Sequence, residues 1–125
     1  MLLAMRTALS RFAPPIALMG VIFYLSAQPG LSSGLSIDFY LRKAAHMTEY
    51  ALLVLLWWRA LRFRRLPVAV GIAVLYAATD ELHQTTVAGR HGSPVDWLID
   101  AGGVLIGVLV ARELRRRHRR RRVAA

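Results

Sequence analysis

Between Arg11 and Asp38 the chain carries no charged residue at all. Residues 12–28 of that interval are apolar enough for a helix, rising about 1.5 Å per residue, to cross most of a roughly 30 Å hydrocarbon core. Pro14 and Pro15 are expected in the first turn of this helix, where a missing N–H costs little. A cleavable signal peptide is the competing reading, with Arg6 and Arg11 as its basic region and Leu25-Ser26-Ala27 as its cleavage site. Leu25 is larger than such a site prefers, which favours a retained helix.

Three further apolar stretches follow, at residues 44–61, 66–83 and 95–111. Taken singly, such short uncharged runs can be buried helices of a soluble protein. They make sense together if each is a helix with one polar end. Composition points the same way: hydrophobic residues reach 56%, against about 45–50% in soluble domains, and the mean hydropathy is +0.42. The absence of cysteine excludes disulfides and thiolate metal sites.

Charge sets the orientation. The net charge of +10 resembles that of a nucleic-acid binder until its distribution is read. If the chain crosses a bilayer four times, the N-terminus, the connector Arg59, Arg62, Arg64, Arg65 and the tail share one side. That side collects 14 of the 17 basic residues and is therefore expected to be cytoplasmic. The expectation is an all-α, four-helix transmembrane bundle, up-down-up-down, in the cell membrane with both termini cytoplasmic. Residues 1–111 form the transmembrane domain and 112–125 a basic cytoplasmic tail. The tail has no interleaved aromatics and no nucleic-acid fold signature, so its expected partners are anionic lipid head groups rather than RNA or DNA.

In this topology the polar ends of the last three segments meet on the non-cytoplasmic face, joined by Ser26 and Gln28. Six of the seven acidic residues and three of the four histidines fall there, making a polar cup over apolar walls. Lys43, His46 and Tyr50 lie on one helical stripe with Glu49 beside His46, and Asp80 stacks with His83 and Gln84. Asp96, Asp100 and Gly103 repeat the spacing. Charged groups at bilayer depth are costly unless paired or facing a wet cavity, so these stripes should face one another. The loop GRHGSP, residues 89–94, can bend Arg90 and Ser93 over the cup. Gly103 and Gly107 permit a close helix approach, expected within the bundle. Trp57, Trp58 and Trp97 read as interfacial belt residues.

The combination of KxxHxxEY (Lys43, His46, Glu49, Tyr50), DExHQ (Asp80, Glu81, His83, Gln84) and GRxGSxxD (Gly89, Arg90, Gly92, Ser93, Asp96), with Gly103 beyond it, resembles the VanZ-like family. The resemblance covers about residues 20–110. It implies a small integral membrane protein acting on or binding a cell-envelope lipid or glycopeptide. The family's namesake lowers susceptibility to the glycopeptide antibiotic teicoplanin, a role that resemblance alone does not carry over. Many relatives have Asn where this chain has Asp100.

The residues leave the chemistry open. In an enzyme, His83 or His46 would be the general base, oriented by Asp80 or Asp96, and Lys43 and Arg90 would clamp an anionic group. Glu49, Tyr50, Glu81, Gln84 and Ser93 complete the expected substrate contacts, but neither Ser93 nor Tyr50 carries a nucleophile signature. A divalent metal is a variant, with Asp80 and His83 as ligands and Glu49, Asp96 and Asp100 completing the shell, although Lys43 and Arg90 would repel it. A binder without chemistry uses the same groups and needs no nucleophile. Finally, the polar set can be a network that ties the helices together.

Overall fold

The computed structural model describes residues 1–28 and 36–125. They form four helices, α1 (Leu2–Ser26), α2 (Ile37–Ala60), α3 (Leu66–Gln84) and α4 (Pro94–Ala124), and no strand among the described residues. Helix α2 packs against all three others, most extensively against α4, while α1 and α4 do not touch. Two of the four, α1 and α4, are long and apolar enough to cross a membrane, with mean hydropathies of 1.5 and 1.7 over their most apolar windows.

Small residues make up much of the core, beside Ile22, Tyr50, Leu53, Val54 and Trp58, and many large apolar residues lie on the surface. Ala69, Ala73 and Ala77, one stripe of α3, are buried, as are Ala60 and Ala111. Leu75 on α3 is 70% exposed, and Leu9, Ile16, Phe23, Leu98 and Leu105 are also exposed. A soluble fold driven by apolar burial would leave fewer large apolar residues exposed. Helices surrounded by lipid gain nothing from hiding Leu and associate through small residues that let backbones approach. Helix α4 illustrates this on one stripe, Asp100, Gly103, Val104, Gly107 and Ala111. A Cβ on Gly103 would lie 2.8 Å from Met47 Cα, and one on Gly107 would lie 2.7 Å from the Ala51 carbonyl oxygen. The glycine pair therefore seats α4 on α2, as expected for packing within the bundle.

Several boundaries lie outside the expected ones. Helix α1 begins at Leu2 rather than residue 12, which puts Pro14 and Pro15 inside the helix instead of its first turn. A proline removes the N–H that would serve the carbonyl four residues earlier. For Pro14 that carbonyl belongs to Ser10, and Arg59 Nη1 donates to it at 3.1 Å. Arg11 in turn donates from Nε, at 2.9 Å, to the Ala60 carbonyl at the end of α2. Two arginines thus satisfy the carbonyls that a proline within a helix and a helix end leave open. Helix α2 starts at Ile37, ahead of residue 44, and α4 runs past residue 111 to Ala124. The basic tail is therefore helical, with Glu113 bonded to Arg117 at 2.8 Å and paired with Arg116 at 3.2 Å. These i, i+4 and i, i+3 pairs suit an exposed helix, and the Arg117 bond holds the Glu113 carboxyl below its ordinary range.

The tryptophans are also more enclosed than a belt requires. Trp58 is buried, Trp97 Nε1 donates to the Val74 carbonyl at 3.3 Å, and Trp57 faces Phe12 with ring centroids 6.2 Å apart.

Candidate functional site

The ends of α1 and α3 and the beginnings of α2 and α4 come together, and the polar residues of the sequence converge there. Helix α3 changes character within one turn. Below it is the alanine stripe; above it Asp80, Glu81 and Gln84 continue the same buried face. Asp80 is 3% exposed, and its Oδ2 accepts from Ser26 Oγ at 2.8 Å and from Gln84 Nε2 at 3.2 Å. These bonds tie the end of α1 to the end of α3. Glu81 accepts at 3.2 Å from the backbone N–H of Ser93, which draws the loop down onto α3. Gly92 makes this possible: a Cβ there would sit 2.8 Å from Thr85 Cγ2.

Ser93 is the N-cap of α4. Its Oγ accepts from the Asp96 N–H at 3.1 Å and donates to Asp96 Oδ2 at 3.0 Å. The hydroxyl's proton and one of its acceptor positions are thereby engaged at the start of the helix. Asp96 is also the ion-pair partner of Lys43, so the beginnings of α2 and α4 are held together by charge. One turn deeper, His46 Nδ1 lies 3.5 Å from Asp100 Oδ1. Asp100 is 2% exposed.

Arg90 donates from Nε to the Gln28 carbonyl at 3.0 Å and from Nη2 to the Leu25 carbonyl at 3.2 Å. It closes the C-terminal turn of α1, where cations are favoured by open carbonyls. The edge expected to clamp an anion is therefore occupied by main chain. Arg42, absent from the sequence-derived site, is exposed on α2 and makes no ion pair or hydrogen bond among the described residues. Its adjacency to Lys43 was the only signal for it in the sequence.

Two adjoining cavities result. One, of about 240 Å³, is lined from α2 by Phe39, Arg42, Lys43 and His46, from α3 by Glu81 and Gln84, from the loop by Gly89, Arg90 and His91, and from α4 by Asp96 and Asp100. The other, about 250 Å³, shares Arg42, His46 and Arg90 and adds Glu49 with Leu25, Gln28 and Ala45. A larger cleft of about 410 Å³ between Trp58, Phe63, Leu114, Arg115 and His118 is lined mostly by apolar surface.

Of the residues predicted from sequence, Lys43, His46, Glu81, Gln84, Arg90 and Asp96 face the first cavity and Glu49 the second. Three do not. Asp80 lies beneath the cavity. Tyr50 is fully buried with an unpartnered hydroxyl. His83 turns toward α1, where its ring stacks on Phe23 at 4.3 Å with planes 10° apart.

An all-helical bundle with two bilayer-length apolar helices, lipid-suited surfaces and a polar pocket at the helix ends is consistent with a small membrane protein. Residues 12–116 match the VanZ/LLP1 family, and the chain belongs to that family. No curated protein sequence and no solved structure matches it.

Proposed function

We propose that this chain crosses the cell membrane four times, up-down-up-down with both termini cytoplasmic, and that its outward-facing cavity binds the anionic head group of an envelope lipid or lipid-linked precursor. The orientation is supported by the concentration of basic residues on one side and by the pairing of helix ends, Arg11 with Ala60 and Ser26 with Asp80. The tail arginines would add attraction to anionic lipids on the cytoplasmic side, about 1 kcal/mol each near the surface.

The observation that carries binding is the rim of the cavity. Arg42 presents a guanidinium with no partner among the described residues, next to Lys43 and Arg90. A planar fork of donors suits a phosphate or diphosphate. Size discriminates among ligands: about 240 Å³ lies below the roughly 300–1,000 Å³ that encloses a drug-sized molecule. A phosphate or sugar phosphate fits, whereas a glycopeptide would have to lie across the rim. Phe39, which lines the cavity, is exposed beside it, as an acyl chain would require.

The test is binding of a lipid-linked sugar diphosphate to detergent-purified protein. Removing a charged hydrogen-bond donor costs about 1.5–3 kcal/mol, so Arg42→Ala is expected to weaken binding about tenfold or more. Equal affinity of the variant and wild type would sink the reading.

A catalytic role has one observation in its favour, since His46 faces the cavity with a carboxylate behind it. Ser93 is spent as a helix cap, so an enzyme here would activate water rather than a side-chain nucleophile. A released product in the same assay would move the assignment to hydrolysis.

A further inference from the structure

Beneath the cationic rim the floor of the cavity has more acceptors than donors. Asp80 Oδ1, Asp100 Oδ2 and His46 Nδ1 are buried with no hydrogen-bond partner in the protein. One ligand atom from each of these three residues lies within 4.8 Å of the other two. A buried carboxylate oxygen without a donor is costly, and three residues that each hold a buried unpartnered polar atom and bring ligand atoms within 4.8 Å of one another suit a common partner.

The nearby cations do not supply it. Lys43 is paired with Asp96, and Arg90 is bonded to the carbonyls of α1. The repulsion expected from these two groups is thus largely compensated by their own partners.

We propose that His46, Asp80 and Asp100 bind one divalent first-row transition metal ion, zinc or manganese, at the floor of the cavity. The donor set selects this class: one imidazole and two carboxylates suit such ions, whereas calcium and magnesium take oxygen shells. The spacing agrees. Ligands about 2.1 Å from a tetrahedral ion stand about 3.4 Å apart; His46 Nδ1 is 3.5 Å from the nearer Asp100 oxygen, Oδ1, and ligand atoms of all three residues fall within 4.8 Å of one another. This set replaces the His83-centred one expected from spacing, because the His83 ring is engaged by Phe23 on the far side of α3. His46 and Asp100 also line the cavity, so the remaining coordination position opens toward it. If the head-group reading holds, a phosphate oxygen would occupy that position; the metal site itself does not depend on that reading.

The experiment uses the full chain in detergent with no lipid substrate, stripped with chelator and dialysed against zinc or manganese chloride. Elemental analysis should find one ion per chain, and the melting temperature should rise by several degrees when metal is added in large excess over its dissociation constant. His46→Gln and Asp100→Asn should lose the bound ion and the rise together, while Glu113→Gln, a tail carboxylate, keeps both. Wild-type protein that retains neither ion and shows no rise overturns the proposal, as do site variants that bind as much as wild type. The wild-type measurement decides the matter even if a variant fails to fold. Because no lipid is present, a failure of head-group binding cannot be mistaken for a failure of metal binding.

Discussion

His46 and His83 are near-equivalents in the sequence. Each sits at the polar end of an apolar helix with a carboxylate three residues away, Glu49 for one and Asp80 for the other. Tertiary packing separates them, sending one ring into a cavity beside Asp100 and the other onto Phe23. The consequence is measurable. His83→Gln should leave head-group binding unchanged and lower stability by about 1 kcal/mol, the worth of a ring pair beyond its buried area. Loss of binding in His83→Gln would return that histidine to the site. Asp80→Asn in metal-free protein keeps acceptors for Ser26 and Gln84 while removing a buried charge. Its melting temperature should match or exceed that of wild type. A drop of several degrees would mean that the acidic set is a structural network.

At the scale of elements, the helix count follows from apolar runs, but helix ends do not. Leu2 to Arg11 and Arg112 to Ala124 contain charges that end a hydropathy window without ending a helix. Backbone hydrogen bonding continues wherever φ and ψ permit, and Arg is a good helix former. Proline was a misleading mark of a helix start: Arg59, distant in sequence, serves the carbonyl that Pro14 abandons, and the helix extends back to Leu2. The GxxxG spacing was informative because its physics is local to the contact. Gly103→Val would force its Cβ into the backbone of Met47, and overpacking of this kind costs about 1–3 kcal/mol or more. Gly20→Ala is the control, since nothing lies within 4 Å of its added Cβ. If thermal melting shows the two variants equally stable, the close α2–α4 contact is not what holds α4.

At the scale of the whole molecule, charge asymmetry is the basis of the proposed orientation, and the cysteine-free chain lends itself to a direct measurement. A single cysteine introduced as Ala88→Cys should react with a membrane-impermeant thiol reagent on intact cells. Arg64→Cys and Ala125→Cys should react only after permeabilisation. The reverse pattern would place the cavity on the cytoplasmic side and exclude outer-leaflet lipids as its ligand.

What the sequence determined alone was the class of the molecule: four helices, an apolar exterior, the family, and the gathering of polar residues at certain helix ends. Each of these depends on periodicity, composition or linear spacing, and linear spacing is preserved when a chain becomes a helix. What only the tertiary structure decided was which polar groups are spent and which are free. Ser93 is consumed by a helix start, Arg90 by the carbonyls of α1 and Lys43 by Asp96, while Arg42 and the atoms of His46, Asp80 and Asp100 keep unused capacity. Side chains of one type are interchangeable in a pattern but not in a packed site. A donor's availability depends on partners tens of residues away, brought within 3 Å or so only by the crossing of helices.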